Sequence, residues 1–187
     1  IAEIRRRGKE WRTLKLYGQE LNLMTSSIAR MNMFLHGIED FKIVRGDTLS
    51  APAFTDGDRL RQFDVCLANP PYSIKQWNRD AWSSDKWNRN FLGTPPQGRA
   101  DYAFQQHIQT SLTAKGRCAV LWPHGVLFRN EEQAMRAKMI EPGYGYIRVR
   151  RFQDRTGEDL AKSIKDLYKD GELKGLVTMN DIMETLV

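Results

Sequence analysis

Residues 63–72 read FDVCLANPPY, and no other stretch restricts the fold as strongly. FDVCLA is a short apolar run of strand type and reads as a buried strand. The two prolines after it cannot extend that strand, because proline lacks a backbone donor and fixes φ. The chain is therefore stopped abruptly, with an amide side chain and an aromatic ring held at the stop.

Other runs supply neighbours for that strand. LKLYGQE (14–20), FKIVRGD (41–47) and RCAVLWP (117–123) have the same short, strand-like character. Leu21, Met24, Ile28, Met31 and Leu35 recur at helical spacing, which predicts a helix over 21–36 with Gly37 as its C-cap. Another helix is predicted over 101–114, and one more ends at Met139. Strands alternating with helices predict an α/β sheet with right-handed parallel crossovers. Ligands gather at the carboxyl ends of strands in such sheets. Glu20, Asp47 and Asn69 all fall at such ends. The character of the chain changes near Glu141–Pro142, so residues 1–141 read as a catalytic domain and 142–187 as a separate segment. In that segment EPGYGYIRVRRFQ predicts a short strand and GEDLAKSIKDLYKDGEL a helix.

Composition narrows the function classes. With 187 residues, 41% apolar and 28% charged, the chain can bury a real core. It holds no apolar run of membrane-spanning length, and the basic start IAEIRRRGKEW has no apolar signal region behind it. Cys66 and Cys118 lie inside apolar runs and read as small buried hydrophobes of a reducing, cytoplasmic setting. His36, His107 and His124 make no ligand spacing, so no metal site is expected. A net charge of +6 favours a polyanionic partner only weakly, since the basic residues are spread along the chain.

Three strand ends carry the chemistry. An acid ending one strand, here Glu20, can accept both ribose hydroxyls of a nucleoside. An acid at the next end, Asp47, can accept from an adenine amino group, although acids at strand ends also serve as helix caps. NPPY adds a more specific device. The Asn69 side-chain oxygen and the Pro70 carbonyl can both accept from one exocyclic amino group, which leaves the nitrogen lone pair free to attack. Pro70 and Pro71 make that carbonyl rigid, so little reorganisation is needed. Tyr72 offers a face on which a base can stack, worth about 1–3 kcal/mol. The stretch 75–99 interleaves Trp77, Trp82 and Trp87 with Arg79, Lys86 and Arg89. It suits distorted DNA, or it is a loop anchored by its tryptophans.

With these motifs in order, the chain resembles amino-methyltransferases that use S-adenosylmethionine. It is most similar to the modification subunit of type I restriction-modification systems, which methylates adenine in DNA. LYGQELNLMTSSIARMNMFLHGI, GDTL, LANPPYS and GRADYAFQQHIQTSLTAKGRCAVLWPHGVLFR carry the resemblance over about residues 14–140. It implies a Rossmann-like, mostly parallel sheet with flanking helices. Glu20 and Asp47, with Asn69, would bind S-adenosylmethionine. Asn69, Pro70, Pro71 and Tyr72 would hold a flipped-out adenine, and Asp101, Tyr102 and Phe104 would line the target-base side. The implied partners are double-stranded DNA, a DNA-specificity subunit and a restriction subunit.

The sequence departs from the family pattern at its start. A first strand and glycine-rich turn are missing before Glu20, so the chain reads as a fragment that binds cofactor poorly and is inactive alone. NPPY also serves methyl transfer to a protein glutamine or an RNA guanine, and a silent assembly or binding piece is a third reading. The LYGQE and ADYAF stretches favour DNA adenine.

Overall fold

The computed structural model describes residues 4 and 6–139, the backbone of strands at 144–149 and 175–180, and Lys162 and Asp166. It divides into two compact units, residues 1–55 and 56–187.

The first unit is a β-α-β element. Strand β1 (Leu16–Glu20) pairs in parallel with β2 (Phe41–Arg45), in a register running from Leu16 opposite Phe41 to Glu20 opposite Arg45. Helix α1 (Leu23–Leu35) connects them. It starts at Asn22, whose side chain accepts from the Thr25 N–H at 3.1 Å, and one unpaired helix donor is thereby satisfied. It ends where expected. Gly37 takes a left-handed φ of 65°, Ile38 N–H reaches Met33 O at 2.9 Å and Gly37 N–H reaches Phe34 O at 3.0 Å. These are the two bonds of a glycine-terminated helix end. After β2, Gln19 pins the chain by donating to Ala51 O at 2.8 Å and accepting from Ala53 N–H at 2.9 Å.

Next in the chain, β3 (Thr55–Asp56) and β4 (Arg59–Leu60) form a small pair around Gly57–Asp58. Among the described residues the main sheet has four strands in the order β5-β6-β8-β7, with every neighbouring pair parallel. They are β5 (Phe63–Ala68), β6 (Leu112–Pro123), β7 (Tyr144–Val149) and β8 (Gly175–Asn180). Helices α2 (Arg79–Ser83) and α3 (Asp101–Thr110) lie between β5 and β6 in the chain, and α4 (Gln133–Met139) follows β6. The strand expected in GYGYIRV is β7. Strand β8 was not expected, and the helix predicted over 157–173 falls almost wholly outside the described residues. Among the described residues no helix is long and apolar enough to cross a membrane.

Two expectations change. The helix predicted to 114 stops at Thr110, because Ser111 N–H turns back to His107 O and Ser111 O accepts from Phe63 N–H at 2.8 Å. Strand β6 therefore begins at Leu112 and enters the sheet through a register shift opposite Phe63 and Val65. Gly116 permits that shift, since a Cβ there would lie 2.8 Å from Phe63 O and 2.9 Å from Thr113 N. The second change concerns β5, read from its apolar run as buried. Among the described residues it lies at the edge of its sheet, and Val65 and Leu67 are 64% and 78% exposed. Its inward side joins a core of Tyr102, Ile108, Cys118, Val120, Trp122 and Met135 through Cys66 and Ala68.

Candidate active site

Asn69 leaves β5 exposed, Pro70 is buried beneath the turn, and Pro71 is exposed. The half-buried Tyr72 folds back so that its hydroxyl donates to Asn69 Oδ1 at 3.0 Å. Burial, then the charge of Asp101, raises the Tyr72 hydroxyl above its ordinary pKa, so it stays a donor at neutral pH. An amide oxygen has two acceptor positions, so this bond leaves one for an incoming donor.

Ser73 follows with a left-handed φ of 47°. Its N–H donates to Asp101 Oδ1 at 2.7 Å, and its hydroxyl lies 3.4 Å from Asp101 Oδ2. Arg129 closes the group by donating to Asp101 Oδ2 at 2.6 Å and to Ser73 Oγ at 3.2 Å. Its Nε lies 2.9 Å from Glu132 Oε2 as an ion pair, at an angle that makes no hydrogen bond. Glu132 is fully buried, and burial pushes its carboxyl up to about 7 against the opposing pull of Arg129. Ser73, Arg129 and Glu132 were not anticipated from sequence.

Of the other expected residues, Asp101 is 1% exposed at the first position of α3. Tyr102, also 1% exposed, donates its hydroxyl to Val126 O at 3.3 Å. Phe104 is half-buried against the core. The second unit thus brings Asn69, Tyr72 and Asp101 into one bonded group.

Glu20 and Asp47 lie in the first unit, at the carboxyl ends of adjacent parallel strands. Glu20 Oε1 accepts from Asn22 N–H at 2.7 Å. Asp47 Oδ1 accepts from Leu49 N–H at 2.9 Å and its Oδ2 from the Ser50 hydroxyl at 2.7 Å. Both acids therefore shape their turns. A carboxylate has about four acceptor positions, and these bonds use one at Glu20 and two at Asp47.

Within the Trp- and Arg-rich stretch the structure shows anchoring. Arg89 is 1% exposed and stacks on Trp82 at 4.4 Å and Trp87 at 4.9 Å. Its fork holds Asp85 at 2.6 Å, and its Nη1 lies 3.3 Å from His107 Nδ1. Burial, then the Arg89 charge, pushes His107 down to about 3. Arg79 donates to Pro95 O at 2.8 Å. The exposed Lys86 also lies over Trp87, 4.4 Å from the ring centroid.

The family model described as N-6 DNA Methylase matches residues 2–146. The chain belongs to the N-6 DNA methylase family. Its relatives include a type I restriction enzyme HindI methylase subunit of Haemophilus influenzae, 34% identical over 114 residues, covering 60% of this chain and 24% of that protein. The MpnII methylase subunit of Mycoplasma pneumoniae is 34% identical over 148 residues, covering 73% of this chain and 27% of that protein. Among solved structures, the type I restriction-modification system methyltransferase subunit from Streptococcus thermophilus superposes with a TM-score of 0.65 at 35% identity. That match covers 73% of this chain and 30% of that one. This N-6 DNA methylase chain spans about a quarter of the length of the curated relatives it matches. The α/β fold with parallel strands inferred from sequence agrees with that neighbour.

Proposed function

We propose that the chain is part of the methylation subunit of a type I restriction-modification system and transfers a methyl group to the N6 amino group of adenine in double-stranded DNA. The observation that carries this reading is the turn after β5. It presents an exposed Asn69 amide beside the Pro70 carbonyl and sets Tyr72 within 3.0 Å of that amide. Family membership and the relatives' names support the substrate and the system.

The acceptors at Glu20 and Asp47 fit the ribose hydroxyls and the adenine amino group of S-adenosylmethionine, because each carboxylate keeps positions that its turn does not use. When bound, that cofactor supplies an electrophilic methyl group. Asn69 and Pro70 accept the two N–H bonds of the target amino group and aim its lone pair outward. The N–CH3 bond would form as the methyl–sulfur bond of the donor breaks, and the methylated amine would then give up one proton to water. Tyr72 stacks on the flipped base and offsets part of the few kcal/mol that extrusion from the duplex costs. Asp101, Tyr102 and Phe104 form the wall behind that side of the site. Recognition of a particular DNA sequence is assigned to a separate specificity subunit, with a restriction subunit as a further partner.

The test uses the full-length protein with its specificity partner, tritiated S-adenosylmethionine and duplex DNA. Label is expected in N6-methyladenine and is expected to vanish in Asn69→Ala with the fold intact. Label in protein or RNA instead would keep the chemistry of the turn and overturn the substrate. Substantial transfer by Asn69→Ala would remove the acceptor role.

A further inference from the structure

The left-handed backbone at Ser73 is unusual for a residue with a side chain and costs about 1–2 kcal/mol when nothing restrains it. Here it is restrained from two distant places, by Asp101, 28 residues away, and by Arg129, 56 residues away. We infer that Asp101 and Arg129 are positioning residues which hold the Tyr72–Ser73 peptide, and through it the Asn69–Tyr72 turn, in the shape that accepts the target amino group. This inference rests on the proposed function and goes beyond it.

The peptide unit is planar, so fixing the Ser73 N–H fixes the Tyr72 carbonyl as well. Its 2.7 Å bond to Asp101 therefore sets the plane on the carboxyl side of Tyr72. The hydroxyl of the Tyr72 ring rests 3.0 Å from Asn69 Oδ1. Asp101 is 1% exposed, and a polar side chain buried that deeply is tolerated only when its atoms are paired. Arg129 pairs with its Oδ2 at 2.6 Å while also reaching Ser73 Oγ at 3.2 Å. A guanidinium can serve both because its donors form a rigid fork, which a lysine lacks. Both oxygens of Asp101 face Ser73 and Arg129, so it acts through Ser73 rather than on the base.

Arg129 is itself held in place. Its Nε sits beside Glu132, and a Cβ at residue 125 would come within 3.2 Å of that atom, so Gly125 lets the side chain lie against the backbone. Arg136 donates to Arg129 O at 3.1 Å and to Val126 O at 3.2 Å. Val126 O also accepts the Tyr102 hydroxyl. The turn is thus tied through one arginine to the core side of α3.

The test compares Arg129→Met, Arg129→Lys and Asp101→Asn in the full-length protein with its specificity subunit. Two readouts are needed: single-turnover methyl transfer alongside KM for S-adenosylmethionine, and hydrogen exchange of the peptide covering residues 69–76. Misplacement of a reacting group by about 1 Å costs about 100-fold in rate. Arg129→Met is therefore expected to lose about that much in methyl transfer with KM for S-adenosylmethionine unchanged. Its turn should exchange about tenfold faster, as for loss of one restraining bond. Arg129→Lys should recover part of both, and Asp101→Asn, which keeps an acceptor for the Ser73 N–H, should fall between. Native exchange of the turn in Arg129→Met and Asp101→Asn would overturn the inference. So would a transfer rate within about twofold of native with only a lower melting point. If the native protein methylates no DNA, the proposed function fails, and the exchange readout alone still decides whether these residues hold the turn.

Discussion

Helix α1 turns Leu23, Met24, Ile28, Met31, Phe34 and Leu35 toward solvent, each at least 50% exposed, and fully buries Ser26. Helix α3 does the reverse and buries Asp101, Gln105 and Gln106 beside Tyr102 and Ile108. The difference lies in partners. Each buried polar side chain of α3 bonds to a residue far along the chain. Asp101 holds Ser73; Gln105 accepts from Trp122 Nε1 at 2.9 Å. Gln106 accepts from Leu92 N–H at 2.7 Å and donates to Gly93 O at 3.1 Å. Burying such groups is tolerable when they are paired, and here Asp101 and Gln106 fix the long loop that follows the candidate site, while Gln105 ties α3 to β6. Apolar spacing thus reveals a helix, whereas burial is decided by what packs against it.

The sharpest way to break this contrast is to remove one partner from the buried set around α3. Asp85 and Arg89 are 3% and 1% exposed in their side chains. Burial raises the Asp85 carboxyl, but the hydrogen bonds and charge of Arg89 outweigh it and hold the carboxyl below its usual range. Asp85→Ala strands the arginine among Trp82, Trp87 and His107, and is expected to cost about 3–5 kcal/mol in denaturant unfolding. A loss below about 1 kcal/mol, the value of an exposed pair, would show that water reaches Arg89.

Two titrations sharpen the picture with opposite signs. Glu132 carries a folded pKa of about 7, above its unfolded value of 4.5. Between those values the folded chain keeps a proton that the unfolded chain has released, so its contribution falls as pH rises through that window. The slope is at most about 1.4 kcal/mol per pH unit. His107 is depressed from 6.5 to about 3. The unfolded chain binds its proton first, and stability is lost as pH falls from about 6.5 toward 3. The two effects oppose each other where their windows overlap. Glu132→Gln removes only the first, so its stability relative to native is expected to climb between pH 5 and pH 8. Parallel pH profiles for the two proteins would contradict the buried setting of Glu132.

Tyr102→Phe tests a smaller element of the same network. It removes one buried hydroxyl bond to Val126 O, and the expected cost is about 1 kcal/mol in thermal or denaturant unfolding. The result bears on what the sequence could reveal. Strand ends at Glu20, Asp47 and Asn69 were legible because apolar runs and proline stops are local signals, as were helix α1 and its Gly37 end. Strand β8 was missed although GLVTM is a short apolar, β-branched run, and the pair around Gly57–Asp58 was missed although a glycine there marks a two-residue turn. The edge position of β5 depends on strand order, which no local pattern encodes. Ser73, Asp101 and Arg129 meet across 28 and 56 residues, so their group has no sequence period or spacing to read.

The smallest expected effect is on the other side of the comparison. Met24→Gln, Met31→Gln and Leu35→Gln replace residues that are 69%, 60% and 75% exposed. Surface substitutions of this kind change stability by no more than about 0.5 kcal/mol each. Contiguous exposed apolar groups also drive association, so the triple variant of this 187-residue chain is expected to be more monomeric than the parent by sedimentation velocity at nearly the same melting point. Buried methionines and leucines would instead lose about 2–5 kcal/mol on truncation. If the three substitutions cost that much, the stripe on α1 is covered in solution. The two helices would then differ in the polarity of what they bury, and not in whether their apolar faces are met.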